Sequence, residues 1–195
     1  PIEVSNFKDF QLEKKEVSKY PYVFKNMIQV EEGHWTGIIT AQYLEEINAA
    51  NDIIYNFATQ RDPIIDVFGL KKIRCFKNKI KSITKNMIEG KQHPDEIKLN
   101  VLKGSGEDKE VYFDSKDGII GDLIIYSGDI TVFDGYNRKT ANGFVLKEKP
   151  DLQFNWKIAI THWSEKRAQA YMVQINKQTP MSQEHTTNMD TTSNI

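Results

Sequence analysis

The 195-residue chain carries 26 basic and 27 acidic residues, so no global charge attracts nucleic acid, and any such attraction has to be local. Its length favours a single domain, and its single cysteine, Cys75, excludes an internal disulfide framework and a multi-cysteine metal site. No run approaches the roughly 18 to 20 apolar residues of a membrane helix, and no signal peptide opens the chain. We therefore expect a cytoplasmic protein without a membrane partner.

The first part of the chain is predicted to combine one strand with one long helix. "YVFKNMIQV" (22–30) is rich in β-forming residues and lies between Pro21 and a Glu-Glu-Gly break, which is typical of a strand. From Thr40, a candidate N-cap, apolar residues recur at helical spacing until Pro63. These apolar positions are Leu44, Ile47, Ile54 and Phe57.

A second, amphipathic helix follows and ends near Gly90 and Pro94. Its apolar positions are Ile73, Phe76, Ile80, Ile83 and Met87, and a different face carries Arg74, Lys77, Lys81 and Lys85. Two interpretations remain open for these basic residues. They form either an ordinary solvated helix face or a local surface for anions or nucleic acid.

After Pro94 the apolar pattern favours strands. "DEIKLNVLKG" (95–104) is predicted as a strand, "GEDKEVYFDSKDG" as a polar hairpin or insertion, and "DLIIYSGDITVFDG" as two short strands around Ser127-Gly128. This strand-rich part precedes the segment that is of most interest for function.

The rest of the chain alternates between helix and strand. "RKTANGFVLKEK" has helical spacing and stops at Pro150, and "FNWKIAITHW" (154–163) alternates as a strand does. Ser164 then caps a last helix with apolar positions at Ala168, Tyr171, Met172 and Ile175. We therefore expect an α/β (α+β) fold in one domain over 1–182, with a helical N-terminal portion over about 1–70. The polar residues 183–195 are expected to be a disordered tail or the start of a truncated region.

The first candidate site is the turn "FDGYNR" between a strand and a helix. The first N–H groups of a helix point at one spot and carry the positive end of its dipole, which suits a phosphate. Gly135 would admit the phosphate to the backbone, and Arg138 would add a fork of donors. In the alternative interpretation Asp134 caps the helix, Gly135 relaxes a turn and Arg138 pairs with a surface acid.

Two other segments are weaker candidates. Asn176 and Lys177 in "INKQTP" either cap the end of the last helix or line the same phosphate site. Gln60 and Arg61 in "ATQRDP" either contact nucleic acid or form a local ion pair. The four histidines have no metal-binding spacing, and no P-loop, dinucleotide fingerprint or nucleophile elbow occurs, so no metal site is predicted from spacing.

Three stretches together resemble the DGQHR-domain proteins, the group that includes the DNA-phosphorothioation protein DndB. "ITVFDGYNRKTA" resembles their Asp-Gly-Gln-His-Arg signature, "EKRAQAYMVQINKQTPMS" resembles their second signature, and "TQRD" resembles a Gln-Arg element. The resemblance covers roughly residues 20–182. More distantly, the order strand, Gly-x-x-Arg and helix is similar to the ParB/sulfiredoxin-like fold.

The resemblance implies a mixed sheet flanked by helices, with a nucleotide or DNA phosphate bound at Gly135, Asn137 and Arg138 and with Asn176 and Lys177 facing them. It implies a bacterial or phage setting linked to DNA modification, defence or transcription regulation. Tyr136 and Asn137 stand where the family has Gln and His, and an amide does not titrate near neutral pH. The resemblance therefore does not extend to acid–base chemistry at Asn137.

We expect from this a DndB-like or ParB-like protein that binds a nucleotide or the DNA backbone. Gln60, Arg61, Arg74, Lys77, Lys81 and Lys85 are the candidate DNA contacts. If the protein is an NTP hydrolase or nuclease, Asp134 with Mg²⁺ bridging the phosphates of a nucleoside triphosphate is the candidate machinery. The alternative is a non-catalytic phage or bacterial regulatory protein that binds DNA or a host protein. Either function is compatible with an oligomer.

Overall fold

The computed structural model describes residues 19–50, 52–54, 65–67, 70–72, 77–104 and 110–176. The strands are β1 (Tyr22–Glu31), β2 (His34–Thr40), β3 (Ile53–Ile54), β4 (Ile65–Val67), β5 (Leu70–Lys72), β6 (Glu96–Val101), β7 (Val111–Ser115), β8 (Ile120–Ile125), β9 (Ile130–Asp134) and β10 (Asn155–Thr161). The helices are α1 (Ala41–Ala49), α2 (Lys77–Ile88), α3 (Tyr136–Glu148) and α4 (Glu165–Asn176). Among the described residues, no helix has the length and apolar character that would let it cross a bilayer.

Eight strands form one mixed sheet in the order β3-β9-β6-β10-β2-β1-β8-β7, and β4 pairs with β5 in a separate two-stranded ribbon. β3 runs parallel to β9 and β6 runs parallel to β10. The other neighbouring strands of the large sheet are antiparallel. The fold is thus mixed α/β, as expected from the sequence.

The helices are divided between the two faces of the sheet. Successive side chains of a strand point to opposite sides, so two neighbouring residues of β9 show which helices lie on which face. On β9, Val132 joins the large core cluster together with apolar residues of α1, α2 and α3. The next residue, Phe133, packs instead against Trp163, Ala168 and Met172. Three helices therefore cover one face of the sheet, and α4 covers part of the other face.

Most elements lie where the apolar pattern predicts them. β1, β6, β10, α3 and α4 match their predicted segments, and "VYFDSKDG" (111–118) forms part of the β7–β8 hairpin. Thr40 caps α1 as predicted, because its hydroxyl accepts the N–H of Tyr43 at 3.1 Å. Ile73 and Phe76, at the predicted start of the second helix, lie outside the described residues.

The prediction of one helix from Thr40 to Pro63 is wrong in its length. α1 ends at Ala49, and Ile54, predicted to be helical, lies in β3 beside β9. Asp52 is buried and accepts a hydrogen bond from the hydroxyl of Tyr22, which fixes the chain after the helix in a non-helical position. Phe57 and Pro63 lie outside the described residues.

Where the structure describes the N-terminal portion, which was predicted to be helical, it is mostly strand, and the other residues of 1–70 lie outside the described part. β1 and β2 both lie in the interior of the large sheet, and within the described part of 1–70 the only helix is α1. Trp35 and Ile39 of β2 and Phe24 of β1 belong to the main core cluster. The N-terminal segment is therefore part of the sheet and its core.

Asn100, on β6, fixes the end of the neighbouring strand. Its side chain is fully buried, and its Oδ1 accepts the N–H of Trp163 at 2.9 Å and the hydroxyl of Thr161 at 2.8 Å. Its Nδ2 donates to the carbonyl oxygen of Trp163 at 3.1 Å. Asn100 thus supplies the partner of the buried N–H of Trp163, while the carbonyl of Trp163 also accepts the N–H of Lys103 at 3.0 Å.

Replacing this amide tests its contribution to stability. Asn100→Ala leaves the buried N–H of Trp163 without this partner, and such a group costs about 1 to 3 kcal/mol. We expect the free energy of unfolding, measured by urea denaturation, to fall by about 1 to 3 kcal/mol. Asn155→Ala, at an exposed position of β10, serves as control and should change it by less than about 0.5 kcal/mol. Equal effects of the two substitutions would contradict this account.

Candidate functional site

The turn between β9 and α3 has the predicted order of strand, glycine and helix. Gly135 is the N-cap residue of α3 and adopts a left-handed conformation with φ of 90°, which favours glycine. Asp134 accepts the N–H of Gly135 on its Oδ1 at 2.9 Å, and Gly135, the N-cap residue, makes no side-chain cap hydrogen bond. Asp134 therefore stabilises the turn and does not cap α3.

Arg138 points back into the protein from the first turn of α3. Its Nη1 donates to the carbonyl oxygen of Glu96 at 2.6 Å, which ties α3 to the start of β6. A Cβ atom added to Gly135 would lie 3.2 Å from this Nη1 and 3.1 Å from Cγ1 of Ile97. The glycine thus leaves room for the guanidinium and for Ile97, so the fold itself accounts for both Gly135 and Arg138.

The buried face of α3 carries polar side chains that pair with α1 and β10. Lys139 is 7% exposed, and its Nζ donates to Oδ1 of Asn48 at 2.7 Å. Asn142 is fully buried, donates to the carbonyl of Ala41 at 2.9 Å and accepts the indole N–H of Trp156 at 3.0 Å. Sequence reasoning missed these residues, because α3 carries many polar side chains and no local pattern marks which of them are buried.

Asp134 faces a cation. It pairs in register with Lys98, whose Nζ lies 3.0 Å from the hydroxyl of Tyr171 and 3.7 Å from Glu96. Burial alone would lower the pKa of Lys98, but the hydrogen bond to Tyr171 and the charges of Glu96 and Asp134 raise it above its usual value. Lys98 therefore remains protonated at neutral pH and neutralises part of the charge around Asp134.

A protein-held Mg²⁺ does not fit the residues around Asp134. A divalent cation needs several oxygen ligands, and here the ammonium group of Lys98 lies among the carboxylates of Asp134 and Glu96. In the described ranges, no three His, Cys, Asp or Glu side chains are grouped so as to hold a metal ion. We therefore derive no catalytic step that passes through Asp134 and a metal ion.

Asn137 is buried, with 9% of its surface exposed, and is not displayed at the turn. Asn176 is the last described residue of α4 and follows Ile175, which packs against the cluster that contains Phe133. The end of α4 therefore lies near the end of β9, on the face of the sheet opposite α3. Lys177 lies outside the described residues.

The basic residues of α2 are exposed, as the helical spacing predicts. Lys77, Lys79, Lys81 and Lys85, called here the lysine face of α2, point to solvent. Ile80, Ile83 and Met87 are buried on the opposite side of the helix. Gln60, Arg61 and Arg74, the other candidate DNA contacts, lie outside the described residues.

Few acids neutralise this face. Lys85 lies 3.9 Å from Glu89, and Glu89 also pairs with Lys91 at 3.0 Å. The hydrogen bond from Lys91 holds the pKa of Glu89 below its usual value. In the part of the chain that the structure describes, Lys77, Lys79 and Lys81 form no ion pair.

Comparisons with known proteins add nothing to this geometry: no protein-family model, no curated protein and no solved structure matches the chain. The function therefore has to be argued from the residues and their contacts.

Removing the guanidinium tests its place in the fold. Arg138→Ala deletes a charge-assisted hydrogen bond to a partly buried carbonyl, and such bonds contribute about 1.5 to 3 kcal/mol. We expect the free energy of unfolding to fall by about that amount in urea denaturation, whereas Lys81→Ala should leave it unchanged. If Arg138→Ala is as stable as the parent protein, the guanidinium is not part of the fold and is available for a ligand.

Proposed function

We propose that this protein binds the phosphate backbone of a nucleic acid through the lysine face of α2. The observation that carries the proposal is the exposure of four lysines on one helix, three of them without an ion pair among the described residues. An acid three or four positions away along the helix could pair with such a lysine. Here the only acid within such reach is Glu89, and it pairs with Lys85 and Lys91.

The spacing of the lysines suits a polyanion. Lys77, Lys81 and Lys85 follow one another at intervals of four residues, so they form a stripe with steps of about 6 Å and a length of about 12 Å. The buried apolar side of α2 packs on α3 and holds the stripe in place. A stripe of fixed charges on a rigid helix can contact several phosphates of one strand.

This chemistry predicts positioning on the backbone without base recognition. Lysine ammonium groups contact phosphates as point charges, and phosphate contacts carry no sequence information. Because the whole chain has a net charge of −1, the attraction comes from local charge and not from the overall charge of the protein. We therefore expect modest affinity, a steep dependence on salt and little discrimination between sequences.

Membership of the DGQHR or DndB-like group, and a ParB-like fold, are part of the same proposal. The support is the order of β9, Gly135 and α3, together with the packing of α4 near the end of β9. A protein of that group would act in DNA modification, defence or its regulation. Binding of a DNA phosphate backbone by α2 is compatible with such a setting. It would serve either as the main DNA-binding surface or as a regulatory contact.

A nucleotide phosphate at the start of α3 is the second candidate. One observation favours it, namely that the N-cap residue of α3 is Gly135, which has no side chain to cap the helix. It predicts that a nucleoside triphosphate binds without added Mg²⁺, and that Arg138→Lys weakens this binding while the lysine variants of α2 do not. Isothermal titration separates the two sites.

The backbone proposal is tested by salt-dependent binding. We expect fluorescence anisotropy of a labelled duplex to show binding whose log–log salt slope falls by about 3 to 4 when Lys77, Lys79, Lys81 and Lys85 are all changed to Gln. A matched control changes four other exposed lysines to Gln, namely Lys25, Lys116, Lys149 and Lys166. Equal losses in the two variants, or no binding by the parent protein at low salt, would contradict the proposal.

A further inference from the structure

One half of the sheet has a face that no described helix covers. α4 lies over the β9 and β6 side, while the same face of β2, β1, β8 and β7 shows apolar side chains to solvent. We call the exposed part the open sheet face. Its apolar members are Val23, Ile28, Ile38, Ile120, Ile124 and Tyr112.

The exposure of these side chains is large for β-branched and aromatic residues. Ile38 is 66% exposed, Ile120 is 54% exposed and Ile28 is 46% exposed. Ile28 and Ile120 face each other across β1 and β8, and Tyr112 faces Ile124 across β7 and β8. A contiguous exposed apolar patch with a polar rim marks an interaction site.

The charges on this face decide what the partner is. Ile28 pairs with both Thr36 and Ile120, so Ile38 and Asp122, each two residues further along, lie at the same level of the sheet. Lys157 pairs with Ile38 from β10. One row therefore runs from a lysine on β10, past Ile38, to the carboxylate on β8.

Two-fold symmetry makes this row complementary to itself. The two-fold axis runs parallel to the strands, between the two facing sheets, and passes midway between β2 and β1. Because β10 and β8 each lie one and a half strand spacings from this axis, it places β10 of one copy opposite β8 of the other. Lys157 of one copy then faces Asp122 of the other copy, and this happens twice. The apolar side chains between them face each other as in two stacked sheets, whose mean directions differ by about 30°.

We propose that a second copy of this chain packs on the open sheet face, giving a symmetric face-to-face dimer. Asp114, which pairs in register with Asp122, adds a second carboxylate near the same lysine. The lysine face of α2 lies on the other side of the sheet and remains accessible in the dimer. The dimer is thus independent of nucleic-acid binding and is tested separately.

The test is the oligomeric state of the full chain, measured by sedimentation equilibrium from about 1 µM to about 200 µM. We expect a dimer in the parent protein and a dissociation constant raised about 30-fold or more by Ile38→Asp, since a charge would be buried at the centre of the interface. Lys157→Asp should raise it about tenfold, because it would place like charges opposite each other. Lys81→Asp, on α2, is the control and should leave it unchanged.

The decisive variant combines Lys157→Asp with Asp122→Lys, and we expect it to restore the dissociation constant to within about threefold of the parent value. Within one chain the two residues lie three strand spacings apart, about 14 Å, so restoration reports a contact between copies. Because Asp122 also accepts the N–H of Asn26, a second double variant combines Lys157→Asp with Asp114→Lys. Circular dichroism checks that each variant is folded. A parent protein that is monomeric throughout, or a dimer that Ile38→Asp leaves intact, overturns the proposal.

Discussion

The buried face of α3 carries polar side chains, and the need to satisfy them fixes the elements around this helix. Asn142 joins α3 to the start of α1 and to Trp156 of β10, and Lys139 joins it to Asn48. Arg138 joins it to β6 through the carbonyl of Glu96. Since a buried polar group without a partner costs about 1 to 3 kcal/mol, a shift of α3 would break several such bonds together.

This constraint changes the interpretation of the turn before α3. Gly135 and Arg138 have the residue types of a phosphate site, but their contacts place the glycine over Ile97 and direct the guanidinium inward. The same residues that tie α3 to the sheet are thus those that a ligand would need. The lysine face of α2 is not needed to hold the fold together, because its side chains point to solvent. The apolar side of α2 packs the helix against the core. For this reason we propose α2, and not the turn before α3, as the phosphate-binding surface.

Local signals in the sequence predicted much of the fold, while contacts between distant segments could not be read from it. The cap at Thr40 and the apolar spacing of α2 and α4 depend on neighbouring residues, so they were predictable. Ile54 keeps the helical spacing of α1 but pairs with Thr131 of β9, a long-range contact that no local pattern shows. The direction of Arg138 depends in the same way on a carbonyl of β6, so the sequence could supply the candidate site residues but not their roles.

Lysine footprinting is the most direct test of the proposal that the lysine face of α2 binds nucleic-acid phosphate. The protein is labelled with an amine-reactive reagent with and without a DNA duplex at low salt, and modification of each lysine is measured by mass spectrometry. We expect DNA to protect Lys77, Lys79, Lys81 and Lys85, and to leave the exposed Lys25 and Lys149, which lie outside α2, as reactive as before. Protection of the control lysines with no change in α2 would contradict the assignment of the phosphate-binding surface to this helix.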